Sequence, residues 1–256
     1  MRYVLAMILC LLTATVAAAQ CRQALALGLD VSGSVDSAEY RIQFDGLASA
    51  LLDPEVQEAL LAPGLPPVSL AIFEWSGVGT QRLLVGWQAI TSQADILTIA
   101  AGLRDMGRQG GETSTGISAA IAFGAALLAQ KPDCWKRTLD LSGDGYANAG
   151  THPRQMPHPA GITVNGLVIG AQREGLRDTA AHWQAQLERL AEYYRAYVVS
   201  GPDAFVEMAG GFEDFEAAMI RKLKRELQGL TVSQMDTSEL TKTQPRQPGG
   251  RPPRGQ

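Results

Sequence analysis

Gln23–Asp30, QALALGLD, is a near-continuous apolar run ending on an acid, as expected of a strand covered on both faces. Asp36 then stands three residues before Glu39, a capping-box spacing. Tyr40, Phe44, Leu47 and Leu51 follow at helical intervals, and Pro54 predicts that this helix ends nearby. Val68–Trp75 and Gln81–Trp87 read as strands joined across Gly77 and Gly79, hence a hairpin. Thr91–Leu103 and Ile117–Leu128 have helical patterns, while Thr138–Leu141 and Ile162–Ile169 read as strands. A helix is predicted over Leu176–Tyr194, followed by a short strand at Ala196–Val199. The last helix carries Phe212, Phe215, Met219, Leu223 and Leu227 on one face. Its acids Glu213 and Asp214 precede the bases Arg221, Lys222, Lys224 and Arg225, matching the helix dipole.

The order β-α-β-β-α-α-β-β-α-β-α predicts an α/β fold of three layers. A doubly wound, mostly parallel central sheet with one antiparallel edge strand lies between two helical layers, a Rossmann-like arrangement. Ligands of such sheets bind in the loops at the carboxyl ends of the strands. Chemistry is therefore expected just after the strands.

The two ends of the chain depart from this alternation. Residues 1–19 begin with Arg2, run apolar from Val4 to Val16 and close on Ala17-Ala18-Ala19, which reads as a cleaved secretory signal rather than a membrane span. Cys10 leaves with it, and Gln20 before Cys21 disfavours lipidation there. Residues 229–256 end in TKTQPRQPGGRPPRGQ, a Pro/Gly-rich basic stretch expected to be a disordered tail. The folded domain is placed at 20–228, and the protein is expected to be exported, periplasmic or extracellular, with no stable membrane span after processing. Over the 256 residues, 22 basic and 26 acidic side chains give a formal charge of −4 with no basic block in the body, which excludes a general nucleic-acid binder. Three His leave little for a histidine-based zinc site.

Asp30-Val-Ser-Gly-Ser34 sets one carboxylate and two hydroxyls at alternate positions straight after the first strand. A turn there can aim all three oxygens at one point, the donor set of a hard divalent cation that keeps part of its shell for an outside ligand. This D-x-S-x-S segment resembles the metal-ion-dependent adhesion site (MIDAS) of the von Willebrand factor type A domain, the fold of integrin I domains. The family's T-x-T-G segment has its counterpart in Gly110-Gly-Glu-Thr113-Ser-Thr-Gly116, and its Asp-Gly in Asp144-Gly145. The usual T-D-G stands here as S-G-D-G, one residue longer; Asp144 is preferred to Asp140, which sits inside an apolar strand. Separate segments, LDLSGDG, Asn148-Ala-Gly150, Gly161–Gly170 and Glu192–Phe205, are similar to a narrower group of bacterial secreted proteins, domain of unknown function 1194.

The resemblance implies a metal site of Asp30, Ser32, Ser34, Thr113 and Asp144 holding Mg²⁺, or Mn²⁺ or Ca²⁺ in its place. A protein partner would supply an acidic side chain to the open coordination position. It also implies that the strands ending at Asp30 and near Asp144 are adjacent and parallel. Cys21 and Cys134, at nearly equal offsets behind those acids, then meet at the opposite edge as a disulfide. His152 and His158 flank a Pro-rich loop beyond Asp144 and are weaker candidates for shaping ligand choice. A catalytic role is not expected, since no G-x-S-x-G elbow surrounds the serines and no His is placed to activate them. Two other readings remain: a metal-dependent hydrolase using Asp30, Asp140 and Asp144, and a structural envelope protein with a vestigial site.

Overall fold

The first strand, β1 (Gln23–Asp30), is buried along its whole length at the middle of a six-stranded sheet. The computed structural model describes residues 21–170 and 180–240. The other strands are β2 (Val68–Trp75), β3 (Gln81–Ile90), β4 (Lys136–Gly143), β5 (Thr163–Ile169) and β6 (Val206–Ala209). They lie in the order β3-β2-β1-β4-β5-β6, and β3 alone runs antiparallel to its neighbour. The helices are α1 (Ser37–Leu52), α2 (Pro54–Leu60), α3 (Gln93–Asp105), α4 (Ile117–Leu128), α5 (Ala180–Tyr197) and α6 (Phe215–Leu240). This is the expected mixed α/β fold with one antiparallel edge strand.

Alternation along β1 sorts the core into two layers. Leu25, Leu27 and Leu29 face one helical layer, where they join Phe44 and Leu47 of α1, Ile96 and Leu103 of α3, and Met219 and Leu223 of α6. Ala24 and Ala26 face the other, with Ile117 and Ile121 of α4 and Leu187, Leu190 and Tyr194 of α5. The small residues on this second face are a packing requirement. A Cβ on Gly28 would stand 2.6 Å from the Phe73 ring and 2.7 Å from Leu141.

Local signals account for most boundaries. Asp36 accepts from the N–H groups of Ala38 (2.7 Å) and Glu39 (2.9 Å), and Glu39 accepts from the Asp36 N–H at 2.8 Å, the full capping box at the start of α1. Pro54 does not merely end a helix. It is the first residue of α2, whose cap is Asp53, accepting from Glu55 and Val56. The strand expected at Ala196–Val199 is not there: α5 continues to Tyr197, and the N–H groups of Val198 and Val199 both return to the Tyr194 carbonyl. Leu187, Leu190, Ala191, Tyr194 and Val198 keep a helical spacing into the core, which outweighs the β-branched pair at the end. The strand beside β5 is instead Val206–Ala209, reached through a turn at Gly201 with φ +93°.

The helix α6 runs past Gln228 to Leu240, beyond the point where the sequence places the start of the tail. The signal segment, the predicted helix start at Leu176 and residues 241–256 lie outside the described residues. Among the described residues no helix is long and apolar enough to cross a membrane.

The β1–β4 register pairs Gln23 with Lys136, and two residues further back Cys21 and Cys134 form a disulfide with a Cα–Cα distance of 4.4 Å. The bond sits at the amino edge of the sheet. The carboxyl edge of the same two strands carries the site described next.

Candidate metal site at the carboxyl edge of the sheet

Four loops meet where β1, β2 and β4 end. Asp30 closes β1 and is fully buried; its Oδ1 accepts from the Ser32 N–H at 2.8 Å, which turns the loop back on itself. That turn brings the hydroxyls of Ser32 and Ser34 to 3.1 Å from each other. Ser34 Oγ in turn donates to Asp144 Oδ1 at 2.6 Å, linking the first loop to the end of β4.

The third loop, between α3 and α4, is held from two sides. Gly33 N–H donates to the Thr113 carbonyl at 3.1 Å, and a Cβ on Gly33 would fall 2.8 Å from the Thr113 side chain. On the other side Asn148 accepts from the Thr115 N–H (2.7 Å) and gives its own N–H to the Thr115 carbonyl (3.0 Å). Thr115 Oγ1 reaches Ser32 Oγ at 3.4 Å. Sequence reasoning named Thr113 and overlooked Thr115. The signal was present, because T-x-T-G offers two hydroxyls and only the buried one packs beneath the serines. Glu112 ties this loop to the β2–β3 turn by accepting from Gly79 N–H (2.9 Å) and Thr80 Oγ1 (3.1 Å), bonds that hold its carboxyl below the ordinary glutamate value.

One side chain fixes the first loop from beneath. Arg108 Nη1 donates to the Val35 carbonyl at 2.5 Å, and its Nη2 lies 3.4 Å from the carbonyls of Val31 and Ser32. Three carbonyls of one loop are thus gathered on one guanidinium.

The electrostatics follow from this crowding. Burial, and then the charge of Asp144, push the Asp30 carboxyl up to about 8; the bonds from Ser32 act in the opposite direction. Among the described residues Asp30 Oδ2 is buried with no hydrogen-bond partner. The Tyr194 hydroxyl is driven well above its ordinary value by burial and then by Asp30 and Asp144. Both groups come close to Gly143, where an added Cβ would lie 2.5 Å from Tyr194 Oη and 3.0 Å from Asp30 Oδ2. Only glycine fits between them, which explains the S-G-D-G spelling of this turn.

A buried carboxylate oxygen without a partner, beside a second carboxylate and three clustered hydroxyls, fits a hard divalent cation. Ser34, Thr113, Thr115 and Asp144 line a cleft of about 840 Å³, together with Tyr146 and, from α5, Trp183, Leu187 and Leu190. Among the described residues no group of three or more His, Cys, Asp or Glu is placed to share a metal. The oxygen set here has two acids only, Asp30 and Asp144.

The remaining candidates lie elsewhere. Asp140 faces α6, with its Oδ1 2.9 Å from Lys222 Nζ, and takes no part in the cleft. His152 caps a short 3₁₀ turn by accepting from the Arg154 N–H, and packs edge-on against Tyr193 and Tyr197. His158 is exposed. Neither histidine lines the cleft.

A family described as Protein of unknown function (DUF1194) has a sequence profile that matches residues 20–231. The chain belongs to the DUF1194 family. Among curated proteins none matches it. Among solved structures, this DUF1194 chain resembles the pilus adhesin SpaC from Lactobacillus rhamnosus GG at a TM-score of 0.56 and 16% identity, over 82% of this chain and 31% of the adhesin. It also resembles proximal thread matrix protein 1 from the mussel byssus, at a TM-score of 0.51 and 17% identity, over 82% of this chain and 48% of that one. A further structure of the byssus protein, described as having a zinc-occupied MIDAS motif, aligns at a TM-score of 0.50 and 17% identity over 80% of this chain and 48% of that one. The DUF1194 chain therefore spans less than half of either relative. At these identities the likeness is one of fold alone.

Proposed function

We propose that this chain is an exported, non-catalytic binding protein that engages an acidic side chain of a protein partner through a divalent cation. The residues proposed to hold the ion are Asp30, Ser32, Ser34, Thr113 and Asp144, with Thr115 supporting Ser32 from behind. Mg²⁺ suits an oxygen set of few carboxylates, and Mn²⁺ or Ca²⁺ can take its place. The observation that carries this reading is the convergence of two loops 110 positions apart on one hydrogen bond, Ser34 to Asp144, beside the buried and unpartnered Asp30 Oδ2.

With only two acids in the set, a bound ion keeps net positive charge and attracts an anionic ligand. The neighbouring Tyr146, Trp183, Leu187 and Leu190 give that ligand an apolar surface beside its acid. The zinc-occupied motif in the byssus protein supports the view that this fold can seat a divalent ion at such a place. Export is supported by the Cys21–Cys134 disulfide, a bond that persists in oxidising compartments. The hydrolase alternative is weakened because Asp140, one of its three carboxylates, is committed to Lys222.

Isothermal calorimetry with Mg²⁺ on wild type and Asp30→Ala, followed by capture of partners from envelope extract with and without EDTA, tests the reading. Mg²⁺ binding lost in the variant and partner binding lost in chelator are expected. Equal capture in EDTA and by Asp30→Ala would show that no metal bridge operates.

A further inference from the structure

The edge of the sheet opposite the metal site carries a second cleft, of about 490 Å³, between the starts of β4 and β5 and the side of α6. This is within the range of about 300–1,000 Å³ usual for small-ligand sites. Its lining holds three cations and two carboxylates, Asp203 and Glu226. Lys136, Arg137 and Arg225 line it, and among the described residues none of the three has a carboxylate within ion-pair distance. The guanidinium carbon of Arg225 lies 3.8 Å from the centre of the Phe205 ring. Trp135, on the rim, is 43% exposed, a large apolar plane left in water beside three unpaired cations.

The inner wall supplies the opposite chemistry. Glu226 lines the cleft and is 1% exposed. Its Oε1 is fully used, accepting from Asn165 Nδ2 at 2.6 Å and Lys222 Nζ at 2.7 Å. Among the described residues its Oε2 is buried with no partner, and it is closed off from the cleft. The carboxylate that a ligand hydroxyl can reach is Asp203, exposed on the same wall.

We propose that this cleft binds an acidic saccharide. The three demands coincide in that chemistry. The acid of the sugar meets Arg137, Lys136 and Arg225, its apolar C–H face stacks on the Trp135 indole, and a ring hydroxyl donates to the exposed Asp203 carboxylate. A bare inorganic anion uses the cations and leaves the indole and Asp203 unused. The site is separate from the metal edge and needs no ion, so it stands or falls independently of the function proposed above.

The test titrates the full exported protein, in EDTA, with a short oligogalacturonate. The matched neutral galactose oligomer, inorganic phosphate and a nucleoside monophosphate serve as comparison probes. Oligogalacturonate is expected to bind more tightly than all three. Its dissociation constant is expected to rise about tenfold in Arg137→Gln, as for the loss of one charge-assisted pair, and also to rise in Trp135→Ala. Asp30→Ala is expected to leave it unchanged. Both cleft substitutions are on the surface and leave the fold intact, which circular dichroism checks. The proposal is overturned by binding that is absent, that is unaltered by both cleft variants, or that is matched by phosphate or the nucleoside monophosphate.

Discussion

Ser34 and Asp144, 110 positions apart, are joined by a hydrogen bond of 2.6 Å from the serine hydroxyl to the carboxylate Oδ1. The bond crosses between the ends of two neighbouring parallel strands, β1 and β4, so it depends on the sheet register as well as on the turn that Asp30 and Ser32 set in the first loop. A metal site built this way is set by the core beneath it. The large Leu25, Leu27 and Leu29 on one face of β1 and the small Ala24, Ala26 and Gly28 on the other fix how deep the strand sits, and with it where Asp30 points.

The pH dependence of the metal-free protein tests the state of Asp30. Its carboxyl is raised from the ordinary 3.8 to about 8, by burial first and Asp144 second. A carboxyl raised in the folded chain contributes its full stability below the unfolded value and loses it as pH rises through the folded value. Thermal stability in EDTA is therefore expected to fall, on account of this group, between pH 3.8 and about 8. Mg²⁺ binds the ionised form, so its stabilising effect is expected to grow over the same interval. Asp30→Asn should flatten both trends when melting is followed with and without Mg²⁺. A variant that keeps the full Mg²⁺ response would remove Asp30 from the ligand set.

Arg108 is expected to act on the metal only through the backbone. Its guanidinium collects the carbonyls of Val31, Ser32 and Val35, and Arg108→Ala frees the loop that presents Ser32 and Ser34. Mg²⁺ affinity is expected to fall about tenfold, while global stability drops by about 1.5–3 kcal/mol, the net worth of a hydrogen bond from a charged donor. Amide exchange at residues 31–35 should quicken in the variant. Unchanged exchange there, with weakened metal binding, would mean that the charge of Arg108 matters rather than its bonds.

The parts of the fold that show in the sequence are those whose cause is local or periodic. The apolar run of β1, the Asp36–Glu39 capping box and the β2–β3 hairpin each follow from residues within a few positions of one another. Motif order carried the D-x-S-x-S loop and Asp144 to one edge. What did not show depends on distant partners. Pro54 opens α2 rather than only closing α1, because Asp53 caps the new helix and Arg22 reaches the carbonyls of Ala59 and Leu60 at its far end. Thr115 rather than Thr113 sits under Ser32, a choice made by Asn148 on another loop. Arg108 carries no motif at all. Lys222, read as one of several bases at the end of a helix, is the residue that reading misjudged most.

Loss of the disulfide should be felt as lost stability and not as a lost site. Cys21 and Cys134 close a loop of 113 positions at the amino edge, at the opposite end of the strands from the proposed metal site. Cys134→Ser with Cys21→Ser is expected to cost about 2–5 kcal/mol in urea unfolding. Where the variant is still folded, Mg²⁺ affinity should match wild type. A loss of affinity in folded variant protein would show that the two edges of β1 and β4 are coupled.

Lys222 offers the sharpest test of how the α6 layer is held. It is wholly buried, with Asp140 Oδ1 at 2.9 Å and Glu226 Oε1 at 2.7 Å. Burial works to lower its ammonium, yet Asp140 and Glu226 together hold it above the ordinary lysine value. Asp140 is pushed up to about 7, by burial first, with Lys222 opposing and Glu226 adding to the rise. Because that value is raised, the contribution of Asp140 to stability is lost as pH climbs through about 7. Lys222→Met removes the cation that sits between two buried acids, and is expected to cost about 3–5 kcal/mol at neutral pH. The cost should shrink in acid, where the carboxyls take up protons. It should also shrink when Asp140→Asn and Glu226→Gln are added, since the three neutral side chains no longer bury an uncompensated charge. Urea unfolding of the single and triple variants across that pH range measures this. If Lys222→Met costs the same at every pH, and the triple variant is no better than the single one, Lys222 contributes packing rather than charge.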